Sequence, residues 1–411
     1  PLDRLLSGAP LSDRVLILRL TLSLASIVLL WIGMHALAGR LGLSGAMEAA
    51  ALIGTFSCQM VLAVASHIAN DALLLPWFLF FLLAIIRACE SPSVLRVAQT
   101  AVAMAVGLLI KAFALFLLPL LLAPLLIALT RSRRSAVRLT TVSFGIVLLL
   151  AGPWYMRNVV LYRSFTAAYD SLSDVTLGQV LKAAVLMSWP SKISEMVHSA
   201  LWTGNNSFTS FSSATLNLLL ALLMVALVLF GSRLQRTITE LVVVSSIALY
   251  AVGLAATAAG FSASSNGQVA VAAPWYLPVL LAPVLLLCLA GLKRWQPAGT
   301  WLAVVNVLLW SYMAAATWLA KLIPQYGGFG DSRVQPRALW NWYLQNSALR
   351  DSILRTLCPA PLPALYGLML LVIGSLLVAC GLVLMGLVQD RLPEPARSAS
   401  RPSAASAAPR A

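Results

Sequence analysis

The chain has 411 residues, 60% of them apolar and only 10% charged, with a mean hydropathy of +0.90. A soluble domain carries roughly a quarter charged residues, so this composition excludes a soluble globular protein and indicates a polytopic, all-α membrane protein. The net charge of +15 comes mostly from Lys and Arg in short loops beside apolar runs, which is a topology signal; the bilayer is the expected partner and nucleic acid is not.

Apolar runs recur along the whole length, most of them near the ~20 residues that cross a bilayer as a helix. In chain order they cover 15–38, 46–66, 72–87, 97–110, 112–129, 138–156, 214–231, 237–260, 274–292, 298–320 and 363–388. That gives about eleven transmembrane helices within a single domain, 1–388. The stretch 97–129 is too long for one span, and it is divided at Lys111 because a charge is costly at mid-bilayer and cheap at a hairpin tip. The remainder, 389–411, is rich in Pro, Ser and Ala and reads as a disordered cytoplasmic tail.

Arg131, Arg133, Arg134 and Arg138 form the densest short basic loop. With that loop in the cytoplasm, Arg40, Arg87 to Arg96, Arg233, Arg236, Lys293 and Arg294 all fall on the same side. The agreement requires the break at Lys111. The larger outer loops are then 157–213 and 321–362. Within them "LGQVLKAAVLMSW" and "QPRALWNWYLQNSALRDSILRTL" read as amphipathic helices on the outer surface or over a cavity.

Cys58, Cys89, Cys288, Cys358 and Cys380 have no metal-ligand spacing and read as free thiols. The chain begins at Pro1 with "PLDRLLSGAPLSDR". No signal peptide is expected there, and the chain reads as one lacking its natural N-terminus.

Four polar joints fall on the outer side. In "SHIAND" (66–71) Asp71 is placed to cap the helix 72–87; the alternative is that His67, Asn70 and Asp71 line an outward-facing polar cavity. Lys111 is either an interface anchor or a cation for a lipid-linked phosphate. In "GPWYMRNVVLYRSF" (152–165) a helix is expected to end at Gly-Pro, followed by Tyr155, Arg157, Asn158, Tyr162 and Arg163. Those arginines either snorkel or hold a phosphate. In "PWYLP" (274–278) Tyr276 lies beside a proline helix start.

Taken in order, "SHIAND", "GLLIKAFALFLLP", "GPWYMRNVVLY" and "PWYLP" resemble the membrane glycosyltransferases of the GT-C type that use polyprenyl-phosphate-linked sugars. That superfamily includes the protein O-mannosyltransferases, the lipid A aminoarabinose transferases and relatives of the rhizobial lipopolysaccharide galacturonosyltransferases. The resemblance covers about residues 10–290. It implies a GT-C-like fold with extracytoplasmic amphipathic helices in a bacterial inner membrane. It also implies inverting transfer of a sugar from a polyprenyl phosphate to a glycan, lipid or protein acceptor. Substrate-binding candidates are then His67, Asn70, Asp71, Lys111, Tyr155, Arg157, Asn158, Arg163 and Tyr276, with the cations facing the leaving phosphate. A divalent metal is left open. The catalytic Asp or Glu of such families lies in the first outer loop, and here it is expected upstream of Pro1. "PWYLP" departs from relatives in lacking an Arg-Tyr pair. The competing readings are a transporter or flippase and an O-antigen ligase or polymerase.

Overall fold

A computed structural model of the chain describes residues 8–165, 175–201, 211–268, 276–328, 336–357 and 361–389. The tail from 390, Cys358, Pro274 and Trp275 lie outside the described residues, as do parts of the segments 157–213 and 321–362. All regular structure among the described residues is helical. The first half contains α1 (Leu11–Arg40), α2 (Gly45–Ser57), α3 (Gln59–Ser66), α4 (Asp71–Glu90), α5 (Val94–Ile110), a 3-10 segment (Ala112–Leu121), α6 (Leu122–Leu129) and α7 (Arg133–Tyr162). There follow α8 (Leu177–Leu186), α9 (Trp189–Leu201), α10 (Ser213–Ser232), α11 (Ile238–Ser264), α12 (Pro278–Lys293), α13 (Ala298–Ala316) and a π segment (Thr317–Leu322). The last are α14 (Ile323–Tyr326), α15 (Pro336–Gln345), α16 (Ser347–Leu357) and α17 (Leu362–Gln389).

Eight of these helices or continuous helical runs are long and apolar enough to cross a membrane, and nine are if α2 and α3 count as one span bent by 66°. The chain is therefore an integral, multi-pass membrane protein. The count of eleven is not reached on length, because α5 and α12 have only 17 and 16 residues, or ~26 and ~24 Å of helix against ~30 Å of hydrocarbon. A second difference concerns α7, which does not end at Gly152-Pro153 but runs on to Tyr162. Proline is tolerated inside membrane helices, where neighbouring groups satisfy the freed backbone. The amphipathic stretches form α8, α15 and α16, and α9 is an additional helix in the segment 157–213.

The helix starts are locally encoded. Ser44, Ser93, Ser132, Thr176, Ser212 and Thr237 each accept a bond from a backbone amide three residues on. Helix α4 is the most enclosed span, whereas α1 and α17 face outward along most of their length. The main core gathers Met34, Phe78, Phe81, Tyr250 and Trp310, all fully buried.

The basic loops meet at one end of the bundle. Arg40 pairs with Glu90 at 2.5 Å, and Lys293 donates to Gly42 O at 2.5 Å. Arg294 pairs with Glu240, and the Arg233 and Arg294 side chains each bond the other's carbonyl. A small apolar cluster of Ala88, Val97, Ala128 and Ala136 brings the loop 131–138 to the same end. Helix α5 leaves this end, and the 3-10 segment with α6 returns to it, so the chain reverses at Lys111.

Candidate functional site

The reversal at Lys111 creates a demand for hydrogen bonds. Lys111 is extended (φ −155°, ψ 132°), and the amide of Ala114 bonds Lys111 O at 3.1 Å. In a continued helix that amide would have reached Ile110 O. The carbonyls at the end of α5 must find other donors, because an unpaired backbone group in an apolar surrounding is costly. Asn70 Nδ2 donates to Ile110 O at 2.5 Å, and Tyr155 OH donates to Leu108 O at 2.9 Å. Two of the candidate binding residues thus close the frayed end of α5.

The same demand explains the start of α4. Asn70 occupies the N-cap and Asp71 the first helical position, and no side chain caps the helix. This corrects the expectation that Asp71 is the cap. The amides of Ala72 and Leu73 turn instead to the carbonyls of Ala69 and Asn70, at 3.3 and 3.1 Å. Asp71 is released to face Lys111, whose Nζ lies 2.8 Å from its Oδ1, with the two side chains 15% and 19% exposed. The approach is an ion pair rather than an aligned hydrogen bond, so this buried oxygen accepts no hydrogen bond among the described residues.

An aromatic wall stands beside the pair. Lys111 Nζ lies 4.9 Å from the centre of the Tyr276 ring, within cation–π range. Phe113 packs on Tyr276 at 4.2 Å, and Tyr250 OH donates to Tyr276 O at 3.1 Å. Phe113 and Tyr250 were not singled out from sequence. Phe113 lies two residues beyond Lys111, but Tyr250 sits mid-run in α11 with no local signal.

The depth of the pair follows from the helices that carry it. Ser26 Oγ donates to Ala72 O at 2.6 Å, so Ser26 on α1 is level with the start of α4. At 1.5 Å per residue that level is ~21 Å from Arg40 along α1, and Asp71 is ~28 Å from Glu90 along α4. The pair therefore lies in the half of the bundle away from the basic end, at a depth comparable with the far edge of a ~30 Å hydrocarbon layer.

The remaining candidates are placed apart from this centre. Asn158 is almost fully buried on α7, three residues beyond Tyr155, and its Oδ1 accepts no hydrogen bond among the described residues. Arg157 is exposed and lies over Trp154 and Tyr162 at 5.2 and 6.0 Å. Arg163 is exposed in a left-handed conformation after α7 (φ 50°), and His67 is exposed. No contact among the described residues joins Arg157, Arg163 or His67 to the Lys111–Asp71 pair. No group of three His, Cys, Asp or Glu that could hold a metal occurs among the described residues.

Comparisons with protein-family models, curated proteins and solved structures return no match to this chain.

Proposed function

We propose that this protein is a bacterial inner-membrane glycosyltransferase of the GT-C kind that binds a polyprenyl-phosphate-linked sugar at the Lys111 joint and crosses the membrane about eleven times. The observation that carries the reading is the Lys111 ammonium itself. It is held at a break between helices, balanced by one carboxylate and flanked by the Tyr276 ring. An anionic phosphate entering from the outer leaflet meets a cation already in place, and Asp71 and Tyr276 fix its position. In the transfer, the acceptor hydroxyl would give its proton to a carboxylate base and attack the anomeric carbon from the face opposite the phosphate, as the bond from that carbon to the phosphate oxygen breaks. Negative charge builds on the leaving phosphate, where Lys111 stabilises it. The order and content of the four polar joints support the same reading.

The test is donor binding in lipid nanodiscs, with a radiolabelled polyprenyl phosphate sugar as probe. A cation–phosphate contact is worth about 1.5–3 kcal/mol, so Lys111→Met is expected to weaken binding by roughly 10- to 150-fold. Unchanged binding abandons the reading.

A second reading, a lipid-linked translocator, draws on the depth of the pair. Ionisable groups within a bundle often mark a transport path. Movement of the labelled lipid between leaflets of reconstituted vesicles, lost in Lys111→Met, favours translocation. Product formation without such movement favours transfer.

A further inference from the structure

Helix α11 extends well beyond the Lys111 joint. From Glu240 at the basic end to Ser262 it rises ~33 Å, which carries its C-terminus past the hydrocarbon into the headgroup layer. There α8, α9 and the end of α11 line an open pocket of about 490 Å³. Two ammonium groups line it, Lys182 from α8 and Lys192 from α9, and no carboxylate does among the described residues. Lys192 is shared with Glu195 at 3.2 Å on its own helix. The Lys182, Asn266 and Ser262 side chains make no hydrogen bond or ion pair among the described residues.

The floor of the pocket is the turn that ends α11. Asn266 and Gly267 both have positive φ, 52° and 85°, and Gly267 N donates to Ser262 O at 2.8 Å. This bond satisfies one of the last carbonyls of the helix and so reduces the negative end that would repel an anion. The wall is amphipathic. Leu177, Leu181 and Val185 lie along one face of α8 and are all largely exposed, while Lys182 lies off that face in the pocket. A helix with that division lies in the interface with its apolar stripe among acyl chains.

We infer that this pocket binds the phosphate of an anionic lipid headgroup in the outer leaflet, at a site separate from the Lys111 joint. The two lysines supply the charge, Asn266 and Ser262 supply neutral hydrogen bonds, and the exposed leucines of α8 lie where the tails would run. Free phosphate offers the same chemistry without the tails.

Native mass spectrometry of the delipidated full chain, titrated with phosphatidylglycerol or phosphatidylcholine, tests the inference. Phosphatidylglycerol is expected to bind more tightly than phosphatidylcholine. The Lys182→Gln/Lys192→Gln variant is expected to lose about ten-fold in affinity, and Lys182→Arg/Lys192→Arg to retain binding. Lys111→Met is expected to leave this binding unchanged, which separates the pocket from the donor site. Displacement of the lipid by millimolar inorganic phosphate, with no preference for phosphatidylglycerol, assigns free phosphate as the ligand of the same site. Wild-type binding by the glutamine variant overturns the site. Equal loss in the arginine variant overturns the role of charge.

Discussion

Lys111 and Asp71 lie 2.8 Å apart across two helix ends that are separated by a complete out-and-back excursion of the chain. Each would be a buried, unbalanced charge without the other. Removing one partner of such a pair costs about 3–5 kcal/mol when burial is deep, whereas replacing both is often nearly neutral. Lys111→Met and Asp71→Asn should each lower stability by about 1–3 kcal/mol. The double variant should be less harmed than the sum of the two. Thermal unfolding in detergent measures the cycle, and additive losses would show that the two side chains are not coupled.

Topology gives a second expected outcome. In a background without native cysteines, His67→Cys should react with an impermeant maleimide from outside intact cells. Arg134→Cys should react only after the membrane is opened. His67 lies just before the joint of α3 and α4, and Arg134 follows the basic reversal between α6 and α7. Labelling of both from one side would break the assignment of the two ends.

Close packing against α5 is testable at one glycine. A Cβ placed on Gly107 would lie 1.9 Å from the Trp77 ring, and that ring is held by its Nε1 bond to Ala103 O at 2.6 Å. Gly107→Ala should therefore cost about 1–3 kcal/mol through overpacking. Gly145→Ala, with no neighbour within 4 Å of its Cβ, should be neutral or stabilising by up to about 1 kcal/mol. Unfolding midpoints of the two variants compare them directly.

Acid should loosen the second outer cap. The Tyr366 hydroxyl donates to Asp351, and Arg350 adds a contact at 3.2 Å. The hydroxyl first holds the Asp351 carboxyl below the usual carboxylate range; desolvation opposes it, and the Arg350 hydrogen bond and charge add to the lowering. A depressed pKa in the folded state stabilises above the unfolded value near 3.9. That contribution is lost as pH falls from about 4 through the folded value. Trp342 on α15 packs with Leu354 of α16 and Leu365 of α17, so its fluorescence reports the cap. Its acid transition should be weakened in Asp351→Asn, and an unchanged transition would remove Asp351 as the cause.

Much of the fold was legible because hydrophobic length is a local property. Each of the eleven apolar runs contains helix among the described residues, and the reversal at Lys111 followed from the cost of placing its charge in hydrocarbon. The role of Asp71 was misread because capping preference is also local. The carbonyls freed at Ile110 and Leu108 lie 40 residues or more from Asn70 and Tyr155 in sequence order or beyond, and nothing near Asn70 announces them. The helix through Pro153 was misread for a related reason: a rule learned in water overstates the breaking power of proline where no water competes. The lysine pocket needed α8, α9 and the end of α11 to be brought together, which no single stretch encodes.

The Arg40–Glu90 and Arg294–Glu240 pairs and the exchange between Arg233 and Arg294 stitch five chain segments into one rim. The basic rim therefore holds five helix ends at fixed spacing where the charged loops meet. At the opposite end of the bundle, Lys111–Asp71 ties the start of α4 to the end of α5. Parting the helices at the basic rim would break several charged contacts at once, whereas parting them at the Lys111 joint would break one ion pair and the bonds made by Asn70 and Tyr155.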